Sequence, residues 1–264
     1  MKSFTLLLVV ILSGLALPVP GALTAEQIAR NVQDRDSGKD SRAELRMKLY
    51  DRRGRVRDRA LSLLTLRRAA GDKSLIRFTY PNDIRGTGFL VWEHPQGEDE
   101  RFLYLPSLGR VRRIAGSEAQ ESFVGSDLTF EDIGGREFDD YAYRLIDDPN
   151  AAWTGPDGVN HPVYTLESRR RDANARFPRV VSRVRRDNFV VVHAVIYNRR
   201  DEPQKTFEVL KLEQVKGYWT SSELRMTDAL QRTRTELVLD SVEYDVGLKP
   251  DAFSRRELER GGGS

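Results

Sequence analysis

The side chains able to do acid–base or metal chemistry are few and scattered along this 264-residue chain. Its three histidines, His94, His161 and His193, share no metal-ligand spacing, no HExxH occurs, and no cysteine is present to complete a zinc set. A Ser/His/Asp hydrolase would call for a GxSxG elbow, which the chain lacks, and neither a P-loop nor a GxGxxG fingerprint occurs. Acids do gather, at Glu131, Asp132, Glu137, Asp139, Asp140, Asp147 and Asp148. Their spacing has neither the alternate-residue ligand register nor the glycine turn of an EF-hand loop, so they read as a solvated acidic edge, able to dock Arg110, Arg112 or Arg113. No metal and no cofactor is expected, and the chain does not read as an enzyme. Function must then come from apolar surface and from the elements that shape it.

Those elements begin after a segment that reads as a secretory signal. Lys2 precedes a mostly apolar run at 4–17, and the small residues Gly21, Ala22 and Ala25 follow. The run is interrupted by Ser13 and Gly14, is followed by Pro18 and Pro20, and falls short of the roughly 20 residues needed to span a bilayer. Residues 1–22 are therefore expected to be a signal peptide cleaved between about 21 and 25, and 23–264 to form a single domain in the periplasm. With no cysteine the mature chain has no disulfide and no lipid-acceptor site. Basic residues number 43 against 40 acidic ones, and the arginine clusters are interspersed with acids or lie at turns, which argues against nucleic acid. They read as charged strand edges, with anionic lipid head groups or an acidic partner as the functional alternative.

Thr24 and Gln27 have the form of a capping box, and Ala25, Ile28, Ala29 and Val32 follow at helical spacing. Period two then takes over. In 41–51, Ala43, Leu45, Met47 and Leu49 face one way while Glu44, Arg46 and Lys48 face the other. Similar runs at 59–68, 74–80, 163–169, 179–186, 189–197, 205–215, 218–227 and 233–246 are separated mostly by short turns such as Arg53-Gly54, Gly71-Asp72 and Lys216-Gly217. The runs 88–92 and 101–106 are apolar on both faces, as expected of strands covered on both sides. The chain is thus mainly β (α+β). An antiparallel meander of about eleven strands curls into an incomplete barrel, with short helical lids at 25–32, 117–133 and 250–258.

The order Gly88-Phe-Leu-Val-Trp92, Arg101-Phe-Leu-Tyr-Leu-Pro106, Gly109-Arg-Val-Arg-Arg-Ile114 and Ser122-Phe-Val-Gly-Ser-Asp-Leu-Thr-Phe-Glu-Asp132 resembles the outer-membrane lipoprotein-sorting proteins. These are relatives of the periplasmic carrier LolA that accompany RND/MMPL-type exporters. The resemblance implies a LolA/LolB-like half-barrel, a lipid or lipidated protein as cargo, and an RND/MMPL-family exporter or outer-membrane receptor as partner. On that reading Leu45, Met47, Leu49, Leu64, Leu66, Ile76, Phe78, Tyr80, Phe89, Trp92, Phe102 and Tyr104 line a hydrophobic cavity. Ile28, Val32, Phe123, Leu128, Phe130 and Ile133 would form its lid, with the glycines at 125, 134 and 135 as joints. The same residues would equally make a dry core, which suits a non-transporting accessory protein docked on an exporter. The block at 116–135 and the arginine content depart from the well-known carrier and point away from lipoproteins as the particular cargo.

Overall fold

The computed structural model describes residues 23–260 apart from 96 and 150, so the expected signal at 1–22 lies outside the described residues. Period-two segments become strands wherever one face can be buried. They are β1 (Asp40–Tyr50), β2 (Val56–Leu66), β3 (Lys73–Tyr80), β4 (Gly88–Trp92), β5 (Glu100–Leu105), β6 (Arg110–Ile114), β7 (Tyr141–Ile146), β8 (Ala152–Thr154), β9 (Asn160–Arg170), β10 (Arg179–Arg185), β11 (Val191–Tyr197), β12 (Pro203–Val215), β13 (Tyr218–Asp228) and β14 (Thr233–Tyr244). The helices are α1 (Ala25–Asp34), α2 (Phe130–Gly134) and α3 (Arg255–Arg260). No helix among the described residues is long and apolar enough to cross a membrane.

All fourteen strands form one antiparallel sheet, in the order β6-β5-β4-β3-β2-β1-β14-β13-β12-β11-β10-β9-β7, with β8 also on β9. β6 and β7 are its two ends and do not pair, so the barrel stays open. The count exceeds the expected eleven because β6, β7 and β8 carry no clean alternation. The first two are edges, where charge guards unpaired backbone, and β8 is only three residues long. The first and last strands meet in the middle, with Met47 opposite Leu237 and Leu45 opposite Leu239.

β3, β4 and β5 are covered on both faces. Ile76, Phe78, Phe89, Val91 and Leu103 enter a core that includes Phe123, Leu128 and Phe130. Their sequence neighbours Leu75, Leu90 and Phe102 join Leu66, Phe253 and Leu258 in another. The C-terminal segment therefore docks as expected, through Ala252, Phe253 and Leu258, but on the opposite face from the 116–134 block. It is not a lid of the same cavity. The indole Nε1 of Trp92 donates to the Phe253 carbonyl at 2.7 Å, and the Arg77 guanidinium donates to the Glu257 carbonyl at 2.7 Å, satisfying helix-end acceptors that burial would otherwise strand.

At the β2–β3 turn, Gly71 has φ +111°, and a Cβ there would come 1.9 Å from the Glu93 carbonyl oxygen. Gly71→Ala is expected to cost at least about 1 kcal/mol, read as a lowered melting temperature.

Candidate functional site

The apolar face of the sheet is covered by two separate segments, α1 near the β7 end and a second one over the middle. α1 is started by Thr24, whose hydroxyl accepts from the Gln27 N–H while the Gln27 side chain returns a bond to the Thr24 N–H. Helical spacing then aims Ala25, Ile28 and Ala29 at Leu166 and Val184 of the sheet, with Val32 packed at the margin.

The second cover, 116–134, is a plug. Its hub is Phe123, which is fully buried and sits 5.8 Å from Phe78, 5.4 Å from Phe89 and 5.6 Å from Phe130, measured between ring centroids. Leu128 and Phe130 share this core and Ile133 packs against it. A turn at Val124 (φ +48°) and Gly125 (φ +73°) folds the chain back beneath the rings. α2 is capped by Thr129, which accepts from the Asp132 N–H at 3.0 Å, while the Asp132 carboxylate accepts from the Thr129 N–H at 2.9 Å. Burial pushes the Asp132 carboxyl up, but the Arg136 guanidinium at 2.6 Å and the Thr129 bonds outweigh it and hold the group below the usual range.

Polar side chains of the wall pin this plug. Arg59 Nη1 donates to the Val124 carbonyl and Lys205 Nζ to the Asp127 carbonyl, each at 2.6 Å. The Asp127 N–H donates to Thr235 Oγ1 at 2.9 Å, and the hydroxyls of Thr233 and Thr235 donate to its carboxylate. Burial lowers the pKa of both Arg59 and Lys205. At the far end Arg170 meets the buried Glu131 at 2.5 Å, and Gln120 and the Tyr141 hydroxyl donate to the other carboxylate oxygen. Burial raises the Tyr141 phenol to about 12, so it remains a donor at any physiological pH.

Beside the plug a cleft of about 760 Å³ runs between α1 and the sheet. Val32, Leu166, Val184 and Val191 give it an apolar wall, and Arg67, Asp72, Glu93 and Arg136 a polar mouth.

The protein is thus an open antiparallel sheet whose apolar face is closed by α1 and the 116–134 segment. A family model described as "Uncharacterized protein" matches residues 70–260. The chain belongs to that family. Among solved structures, an outer membrane lipoprotein-sorting protein domain from Vibrio parahaemolyticus is 28% identical with TM-score 0.79, covering 89% of this chain and 98% of its own. A DUF1329 family protein from Desulfovibrio piger is 29% identical with TM-score 0.78, covering 89% and 97%. A LolA superfamily protein from Nitrosomonas europaea, 18% identical with TM-score 0.67 and covering 89% and 100%, shares the fold. No curated protein matches the chain. These neighbours are the LolA-superfamily and lipoprotein-sorting proteins that the sequence resembles, and the LolA-like open barrel is shared with them.

The twelve residues expected to line one cavity divide between two faces. Leu45, Met47, Leu49, Ile76, Phe78 and Phe89 lie on the plug side. Leu64, Leu66, Trp92, Phe102 and Tyr104 lie against the C-terminal segment, and Tyr80 is 55% exposed at a strand end. In doubly covered strands, period two sends neighbours to opposite sides, and apolarity alone does not say which side is which. The six expected lid residues all sit in covers, but Ile28 and Val32 belong to α1's cluster and the other four to the plug.

Of the acidic group, Asp139, Asp147 and Asp148 are exposed as expected of a solvated edge, but the others are turned inward and pair with arginines other than Arg110, Arg112 and Arg113. Glu137 pairs with Arg101 at 3.2 Å, Asp132 with Arg136, and Glu131 and Asp140 with Arg170, whereas Arg112 meets Glu118. Among the described residues no cluster of His, Asp and Glu is arranged to hold a metal. His94 and His161 lie 3.3 Å from Glu100 and Asp157 respectively, and burial beside Arg183 lowers the pKa of His193. Of the pins, Asp127, Lys205 and Thr235 were not singled out in the sequence, while Arg59 and Arg170 belong to the arginine clusters expected to be charged strand edges and are instead turned inward onto the plug. A signal existed for two of them, because Arg59 and Lys205 occupy the apolar parity of their strands, in step with Leu61 and with Phe207 and Val209.

Glu93 stands at the mouth of the cleft, its carboxylate 3.1 Å from where a Cβ on Gly135, the plug's exit, would lie. Burial raises its pKa to about 7, Asp72 and Asp99 add to this, and Arg101 and Arg67 oppose it. The folded value lies above the ordinary 4.5, so the folded chain holds a proton the unfolded chain has lost. Stability from this group is fully present below about 4.5 and falls as pH rises to about 7. Glu93→Gln is expected to leave stability unchanged near pH 4.5 and to raise it by about 2–3 kcal/mol at pH 8, measured by urea unfolding at both values.

Proposed function

We propose that this protein is a periplasmic carrier that shields a lipid or lipidated cargo on the plug-side face of its half-barrel. It passes the cargo between membranes together with an RND/MMPL-type exporter or an outer-membrane receptor. The observation that carries the reading is the pair of covers: a large apolar sheet face is closed by α1 and by the 116–134 plug, not by a second sheet. Such covers can move as units while the sheet keeps its hydrogen bonds. An acyl chain on this face would gain about 0.8 kcal/mol per buried methylene, offset by the ring surface that the displaced plug returns to water, and needs no specific polar contact. The likeness to lipoprotein-sorting proteins supports both the carrier reading and the periplasmic address, together with the signal-like residues 1–22. No cofactor and no bond-making step enter this function, and no nucleic acid is a partner.

One observation favours a non-transporting accessory protein instead: with Phe123 fully buried, the face is already filled by the chain's own rings. Native mass spectrometry of the protein purified from its own envelope, followed by solvent extraction, separates the two. A stoichiometric lipid is the expected result. An apo mass that persists after incubation with fatty acids and phospholipids would overturn the carrier reading in favour of the docking protein.

A further inference from the structure

Antiparallel order places the turns at 51–55, 81–87, 106–109 and 229–232 at the same end of the sheet, because they close alternate hairpins of the run from β6 to β13. Each of these tips presents one large apolar residue to solvent: Val56 at 45% exposure, Tyr80 at 55%, Leu108 at 55% and Leu230 at 54%. The apolar tips are each accompanied by arginine. Across 51–57, 80–87, 106–110 and 229–234 eight arginines stand against two acids, Asp51 and Asp83. Asp51 is already held by Arg55 at 2.6 Å. Arg52, Arg53, Arg57, Arg110 and Arg232 have no carboxylate partner among the described residues and are exposed.

From this rim we infer that the protein docks on an anionic lipid bilayer surface, with the hairpin tips in the interface. Strands about 4.8 Å apart put successive tips roughly 10 Å from one another. A protein partner is recognised by a contiguous apolar centre ringed by polar groups, and four single residues at that separation do not make one. A bilayer accepts isolated apolar side chains wherever they meet it, and its anionic head groups attract unpaired guanidinium groups along the whole row. The long arginine stems can lie on the acyl boundary while their charged ends stay among phosphates. Thr233 in this rim also holds the plug, but Arg53, Arg110, Arg232, Leu108 and Leu230 are not among the plug's pins, so docking and cargo binding can be scored apart.

The test is co-sedimentation of the mature chain with vesicles of phosphatidylcholine containing about one quarter phosphatidylglycerol, against pure phosphatidylcholine. Binding to the anionic vesicles is expected, weakening several-fold as ionic strength rises through about 0.15 M. Arg53→Glu combined with Arg110→Glu and Arg232→Glu should lower it by at least about 100-fold. The matched triple Arg183→Glu, Lys211→Glu and Lys216→Glu, away from the rim, should change it by less than about threefold. Leu108→Ser with Leu230→Ser should weaken binding by roughly tenfold even at high salt. Absence of binding to the anionic vesicles would overturn the proposal, as would equal losses in the two charge-reversed triples. Lipid extracted from the rim variants should match the wild-type amount, which keeps a failure of docking distinct from a failure of cargo binding.

Discussion

Phe123→Ala is expected to lower stability by about 3–5 kcal/mol, measured by urea unfolding. The ring is fully buried and touches aromatic rings of the wall (Phe78, Phe89) and of α2 (Phe130) at once. Its loss leaves a void where three rings converge, and a backbone held in the left-handed region at Val124 has little freedom to collapse into it. The same substitution should increase uptake of a fluorescent fatty acid, because the cargo then competes with a weakened plug. Phe253→Ala supplies the comparison. That ring is 1% exposed on the opposite face, so its truncation should cost a similar amount of stability and leave uptake unchanged. Equal effects of the two variants on uptake would sever the plug from cargo binding.

Arg170→Met is expected to cost about 3–5 kcal/mol, since it leaves the Glu131 carboxylate, 5% exposed, without its cation. Tyr141 and Gln120 still donate to one carboxylate oxygen, but neutral donors do not replace a guanidinium at 2.5 Å. Adding Glu131→Gln should restore most of the loss, because a neutral amide has no charge to leave uncompensated. Failure of the second substitution to rescue, in the same unfolding assay, would show that Arg170 acts through its other contacts, the Asp140 carboxylate at 2.8 Å and the Tyr141 ring, whose centroid is 5.3 Å away.

The sequence made the sheet legible because most of its strands bury one face only. Alternation such as Ala43, Leu45, Met47 and Leu49 is a direct record of which side meets the core. The helix start at Thr24 was equally plain, since a capping box is a local arrangement that needs no knowledge of tertiary contacts. Where both faces are covered, the record becomes ambiguous. Phe89 and Leu90 look alike in the chain, and only the covers, the plug over one and the C-terminal segment over the other, show which core each joins. The edge strand Arg110–Ile114 was unreadable for the opposite reason, because most of its side chains face solvent and leave no pattern. The plug was visible as bulky residues among glycines, but its fastening was not. Arg170 finds Glu131 across 39 residues, and Asp127 finds Thr235 across 108, distances over which spacing carries no information.

The β1–β14 seam bears on how the molecule comes into being. Each neighbouring pair from β1 to β6 and from β9 to β14 is joined through a nearby turn, so two curved half-sheets can assemble from local hairpins. Only the β1–β14 ladder joins them at the centre, and Tyr50 must wait for Arg234. A nascent chain that has not yet delivered its last strand therefore carries two unfinished half-sheets with open central edges, prone to pair with neighbours. The slow step of maturation should be this final zippering. A chain cut before residue 233 should aggregate where the complete one stays dispersed.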